Sequence, residues 1–150
     1  MSPAAGSRVL LASEGRPIPR PALDAAASLA GKGGQVHVFA VVRVWGTSLG
    51  LPNPGLLPTK REWDTQRELV GDAVKALQKR GVEADGRVVA TRKATKRIVG
   101  ESDRLGCESI VMAADPPRNR FLADLMWSQE AYRVRRRAKV PVHLVERDGD

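Results

Sequence analysis

Apolar residues in this chain follow two alternating rhythms. Residues 8–13 (RVLLAS) form a short, nearly continuous apolar run, the pattern of a central parallel strand covered on both faces. Glu14, Gly15 and Arg16 turn the chain, and prolines follow at 17, 19 and 21. Pro21 suits the first turn of a helix, where its missing N–H costs nothing. That helix is expected to bury Leu23, Ala26, Ala27 and Ala30 and to stop at Gly31, Gly33 and Gly34. Residues 35–44 (QVHVFAVVRV) return to strand, with Val36, Val38, Ala40 and Val42 on one face and His37, Phe39 and Val41 on the other. Residues 45–58 hold three glycines and three prolines and read as a long loop. Its Trp45, Leu49, Leu51, Leu56 and Leu57 suit a lid or a partner contact, but packing over the core edge is the preferred reading.

Thr59 and Glu62 have the spacing of a capping box for a long helix burying Trp63, Val70, Ala73, Val74 and Leu77 and ending at Gly81. Residues 82–91 are a third strand. Thr95 is expected to cap a shorter helix with Ile98, Val99, Ser102 and Leu105 inside and Gly106 at its end. Residues 108–114 are a buried fourth strand, which opens into a loop with two prolines and two arginines. A helix starting between 124 and 128 runs to about 137, and residues 140–146 are a fifth strand.

Strands alternating with helices imply a parallel sheet with helices on both faces. The fold class is therefore α/β, a three-layer α/β/α, Rossmann-like domain spanning residues 1–150. With right-handed crossovers, two halves on opposite sides of the first strand give a five-stranded, mostly parallel sheet of order 3-2-1-4-5. The switch point then falls between residues 13–16 and 113–120, where ligands of such folds usually sit.

The ends gathered on that edge carry Arg16, Arg20, Arg43, Arg92, Lys93, Lys96, Arg97, Arg118 and Arg120 against Glu14 and Asp115. Such a rim suits an anion. Lys96 and Arg97 fall in a first helical turn, where the macrodipole disfavours cations. Ordinary solvation of surface charge remains the preferred account. The basic cluster at 133–139 lies near a helix end, where the dipole favours it, and is read as solvated.

The net charge of +8 permits attraction to nucleic acid, but no helix-turn-helix, zinc or aromatic RNA motif accompanies it, so nucleic acid is an unlikely partner. No apolar run is long enough for a bilayer or a signal peptide, which leads to the expectation of a cytoplasmic protein with no membrane partner. The single cysteine, Cys107, is read as a small core hydrophobe, and His37 and His143 as structural. No catalytic set and no metal site is expected, since neither G-x-S-x-G, H-E-x-x-H nor a P-loop is present.

Three pieces carry a resemblance. RVLLASEG at 8–15 resembles a strand ending in Asp-Gly, IVMA at 110–113 a strand ending in Met-Gly, and RRRAKVPVHLV at 135–145 a helix turn leading to a Pro-Val strand. In this order they resemble the universal stress protein family, adenine nucleotide alpha hydrolase-like in fold. Members that bind ATP carry G-x2-G-x9-G-[ST] after the fourth strand. Here Ala113 stands at the first glycine, Pro116 and Pro117 follow, and no glycine occurs between Gly106 and Gly149. Ser128 and Gln129 match the final pair, with a loop about two residues longer than the motif's spacing.

Prolines donate no N–H, and Cβ atoms crowd a phosphate. The resemblance therefore implies a regulatory, non-enzymatic homodimer paired through residues 140–146, with protein partners and no family-type ATP binding. Its rival is ATP or another adenine nucleotide, with Mg, held by arginines instead of glycines. Glu14, beside Gly15, would then serve the ribose or metal and Val42 the adenine through its backbone. Ser13, Ala113, Asp115, Arg118, Arg120, Ser128 and Gln129 would surround the phosphates.

Overall fold

A computed structural model describes residues 6–43, 47–48, 51–52, 59–114 and 129–146, with the backbone alone at 43, 47, 48, 51, 52 and 129. Its strands are β1 (Arg8–Ser13), β2 (Gln35–Arg43), β3 (Thr47–Ser48), β4 (Leu51–Pro52), β5 (Glu83–Thr91), β6 (Ser109–Ala114) and β7 (Val142–Glu146). Its helices are α1 (Arg20–Ala30), α2 (Lys60–Lys79), α3 (Ala94–Leu105) and α4 (Gln129–Arg137). The main sheet runs β5-β2-β1-β6-β7, and every pairing in it is parallel. Counted along the chain, its five strands have the expected order 3-2-1-4-5. The β3–β4 ribbon, a two-residue antiparallel pair, lies inside the segment read as a loop. The apolar side chains assigned to a lid there fall outside the described residues.

The sheet is coated on both faces because its central strands alternate two apolar sets. Val9, Leu11, Val36, Val38 and Val111 pack with the buried faces of α1 and α2. Leu10, Ala12, Phe39, Val41, Ile110 and Met112 pack with α3 and α4. In α1 the innermost stripe is Ala22, Ala26 and Ala30, one residue before the expected Leu23 and Ala27, which flank it half-buried. Alanines one turn apart let this helix settle close on the sheet.

In α2 the capping box forms as expected. Glu62 N–H donates to Thr59 Oγ1 at 3.1 Å, and Thr59 N–H donates to Glu62 Oε1 at 3.0 Å. Its buried stripe is Gln66, Val70, Ala73 and Leu77. Trp63 is only half-buried, with the Arg67 guanidinium 5.5 Å from its ring. Gly106 closes α3 in the left-handed region, at φ 67°. Thr95, however, does not cap α3. Lys93 is the residue before the first turn, no side chain caps it, and Thr95 sits inside the helix with its hydroxyl donated to Glu130 of α4. Donation to Glu130 takes the place of the expected capping role, in which the hydroxyl would accept a backbone N–H.

Among the described residues, no helix is long and apolar enough to cross a membrane. Helix α2 approaches the sheet closely at Gly86 of β5, where a Cβ would fall inside the Val70 Cγ1 methyl and reach 3.1 Å from Val74 Cγ2. Gly86→Ala should therefore cost about 1–3 kcal/mol in urea unfolding, the range for overpacking. Val70→Ala in the same chain should restore part of that loss. A Gly86→Ala protein as stable as the wild type would contradict this packing.

Candidate functional site

All main-sheet strands are parallel, so their carboxyl ends share one edge, and the sheet reverses its winding between β1 and β6. The β1–α1 turn lines that point. Ser13 is buried, and its hydroxyl donates to Arg16 O at 2.8 Å. Gly15 adopts φ 94°, and its carbonyl accepts from Gln66 Nε2 at 2.8 Å. The turn thus spends its own polar groups on holding its shape. Glu14 is half-buried beside it.

Across from the turn, β6 presents Met112 and Ala113. Ser13, Glu14, Ile18, Pro19, Met112 and Ala113 are among the residues that line a crevice of only about 10 Å³. That is about the room of one water, whereas small-ligand pockets occupy several hundred Å³. Val42, the expected adenine contact, is buried near the end of β2 and paired with Ala90 of β5. The structure brings Ser13, Glu14, Gly15 and Ala113 to one edge with Val42. Asp115, Arg118, Arg120 and Ser128 lie outside the described residues, as does the side chain of Gln129.

One polar residue at this edge escaped the sequence reading. Gln66 is buried, and its Oε1 has no hydrogen-bond partner while its Nε2 braces Gly15. The available signal was position, since Gln66 opens the stripe continued by Val70, Ala73 and Leu77. A polar side chain on a buried stripe needs a reason.

The second polar centre lies on α3. The Glu101 carboxylate is buried and gripped in a fork by Arg104, through Nη2 at 2.7 Å and Nε at 3.2 Å. Arg87 Nη1 adds contacts at 3.3 and 3.4 Å. Burial alone would raise its pKa, but the hydrogen bonds and charge of Arg104, with the charges of Arg87 and Arg97, hold it below the ordinary 4.5. Arg97 itself lies 6.0 Å from the Phe39 ring. These arginines thus serve the fold.

His37 Nδ1 sits 2.7 Å from Asp85 Oδ1, towards the amino end of β2 and away from the ligand edge. Cys107 is buried, and burial pushes its thiol up to about 11, which keeps it protonated and inert at neutral pH. Among the described residues, no cluster of three metal-ligating side chains occurs.

The profile of the universal stress protein family matches residues 7–146. No curated protein matches the chain. Among solved structures, a protein of that family from Burkholderia pseudomallei superposes with TM-score 0.68 at 24 % identity, covering 96 % of this chain and 98 % of the other. The universal stress protein from Archaeoglobus fulgidus in complex with dAMP gives 0.62 at 20 % identity, with 95 % and 99 % covered. A family protein from Arabidopsis thaliana with AMP bound gives 0.58 at 16 % identity, with 96 % and 94 % covered. At these identities the structural likeness establishes the fold.

The arginine-held carboxylate makes a pH-dependent contribution to stability. Because Glu101 titrates lower in the folded chain than its ordinary 4.5, its contribution is full above that value and fades as pH falls through the folded value. Glu101→Gln should cost about 1–2 kcal/mol at neutral pH, discounted for the partly exposed arginines. The gap to wild type should close in acid. Urea melts at both pH values check this, and a gap that widens in acid contradicts it.

Proposed function

The chain belongs to the universal stress protein family, and from that premise we propose that it is a regulatory binding module rather than an enzyme. It acts as a homodimer and does not take ATP in the glycine-loop manner. The observation that carries this reading is the state of the switch point. Its crevice offers about 10 Å³ between Glu14 and Ala113, and the strand that should open a glycine loop runs into Ala113 and Ala114. A phosphate chain needs backbone N–H groups that Cβ atoms do not obstruct. The two prolines that follow, Pro116 and Pro117, supply no N–H at all.

For the dimer, β7 is an edge strand with β6 on one side only among the described residues. Its Val142, Leu144 and Val145 are half-buried. Such an edge pairs readily with a second copy of itself. Light scattering should give twice the chain mass of 16.3 kDa, and a mass that stays monomeric on concentration would remove the dimer from this reading.

One observation favours adenine-nucleotide binding instead. Gln66 Oε1 is a buried acceptor without a partner beside the Gly15 turn, and the Archaeoglobus and Arabidopsis structures contain dAMP and AMP. Calorimetric titration with AMP and ATP, with and without magnesium, separates the two. The preferred reading expects no AMP binding at concentrations near a millimolar. Saturable AMP binding that Gln66→Leu or Glu14→Ala weakens would establish the nucleotide reading in its place.

A further inference from the structure

The roomier cavity lies away from the switch point. It opens between the first turn of α3 and α4, has a volume of about 620 Å³, and shares none of its described lining residues with the crevice. Six of its nine described lining residues are cations. Arg92 and Lys93 lie just before α3, Lys96 in its first turn, and Arg133, Arg136 and Arg137 on α4. Two basic clusters some forty residues apart in the chain thus face one cavity.

The one acid among the described lining residues, Glu130, is buried and already engaged. It accepts the Thr95 hydroxyl and lies 3.8 Å from Arg133 Nη1. That contact ties α4 to α3 and removes Glu130 and Arg133 from the account of available charge. Among the described residues, Arg92, Lys93, Lys96, Arg136 and Arg137 form no ion pair.

Backbone polarity adds to them. The amides of Ala94, Thr95 and Lys96 precede the first helical hydrogen bond of α3, Arg97 N–H to Lys93 O at 2.9 Å. No side chain caps that end, and no acid stands in its first turn. Its dipole therefore reinforces the positive field of five side chains. Mutual repulsion of so many cations around one cavity is unfavourable until a polyanion fills it.

The wall also selects the ligand. Among the described residues no aromatic ring lines the cavity, and Tyr132 of α4 is not a lining residue but lies beneath the Arg135 guanidinium, 5.3 Å from it. The described wall thus offers charge and not a stacking platform for a base. Arginine forks match phosphate oxygens in pairs, and the volume is that of a small-molecule pocket. We propose that the groove between α3 and α4 binds a compact polyphosphate chain of at least three phosphoryl groups. The chain is free or the tail of a nucleotide, and Arg92, Lys93, Lys96, Arg136, Arg137 and the first amides of α3 hold it.

The test is calorimetric titration of the full chain with inorganic tripolyphosphate at low salt. One saturable site per chain is expected, weakening as salt rises. The pairs Lys93→Ala/Lys96→Ala and Arg136→Ala/Arg137→Ala should each weaken binding by about tenfold or more, the scale of lost charge-assisted contacts. All four positions are exposed, so the fold should tolerate both pairs, and either pair alone suffices for the test. Lys75→Ala/Lys79→Ala on α2, across the sheet, should change nothing. Equal affinity for ATP and tripolyphosphate, with AMP unable to compete, identifies the phosphate chain as the recognised group. ATP binding alone, lost in the groove variants, identifies its source as a nucleotide.

The proposal is overturned by no tripolyphosphate or ATP binding, by equal weakening by the α2 pair, or by ATP binding that AMP displaces and the groove variants leave intact. Binding of a short oligonucleotide without tripolyphosphate would also overturn it, in favour of nucleic acid.

Discussion

Burial of both faces of β1 and β6 is the constraint from which the rest of the structure follows. Val9 and Leu11 face one helical layer and Leu10 and Ala12 the other, all at 3 % exposure or less. A strand apolar on both faces is stable only with cover on both sides, so the connections must cross as helices and the neighbours must run parallel. Parallel strands then bring every carboxyl end to one edge. The Ser13–Gly15 turn and Ala113 meet there for that reason, and α3 and α4 lie side by side on one face with their amino ends toward the same edge. Both the closed crevice and the basic groove follow from this placement.

Charge is partitioned by the same architecture. Glu101 takes Arg87 and Arg104, and Asp24 takes Arg80 at 2.5 Å. Those arginines are accounted for by folding, and the net charge of +8 says nothing about where the remainder collects. One group of the others gathers where α3 begins. There, the Thr95–Glu130 contact fixes α4 against α3 and faces two cationic clusters toward each other. A carboxylate buried inside a basic wall is costly unless paired. Its pairing with Arg133 leaves the outer cations to the solvent or to a ligand.

Much of this was legible in the sequence where the signal is local. The RVLLAS run marks β1 to the residue, Thr59 and Glu62 form the capping box their spacing announces, and Gly106 ends α3 in the conformation glycine favours. What stayed hidden depends on contacts between distant residues. Thr95 looks like a cap until Glu130, thirty-five positions on, supplies a better partner. Gln66 looks like helix surface until Gly15 claims its amide. The 133–139 cluster looks like an ordinary basic helix end because periodicity does not reveal what lies across from it. Ala113 was readable from sequence as an obstruction to a glycine loop, whereas the small volume of the crevice beside it required the packed side chains of Ile18 and Pro19.

On the proposal above, phosphate recognition in this chain belongs to the α3–α4 groove and not to the switch point. Backbone amide NMR of the protein titrated with ATP tests it most directly, since it reports where the ligand sits and not only whether it binds. Saturating shifts are expected at Ala94, Thr95, Lys96, Arg136 and Arg137, with Gly15, Val42 and Ala113 unmoved. Shifts at Gly15, Val42 and Ala113 with the α3 amides unmoved would contradict it.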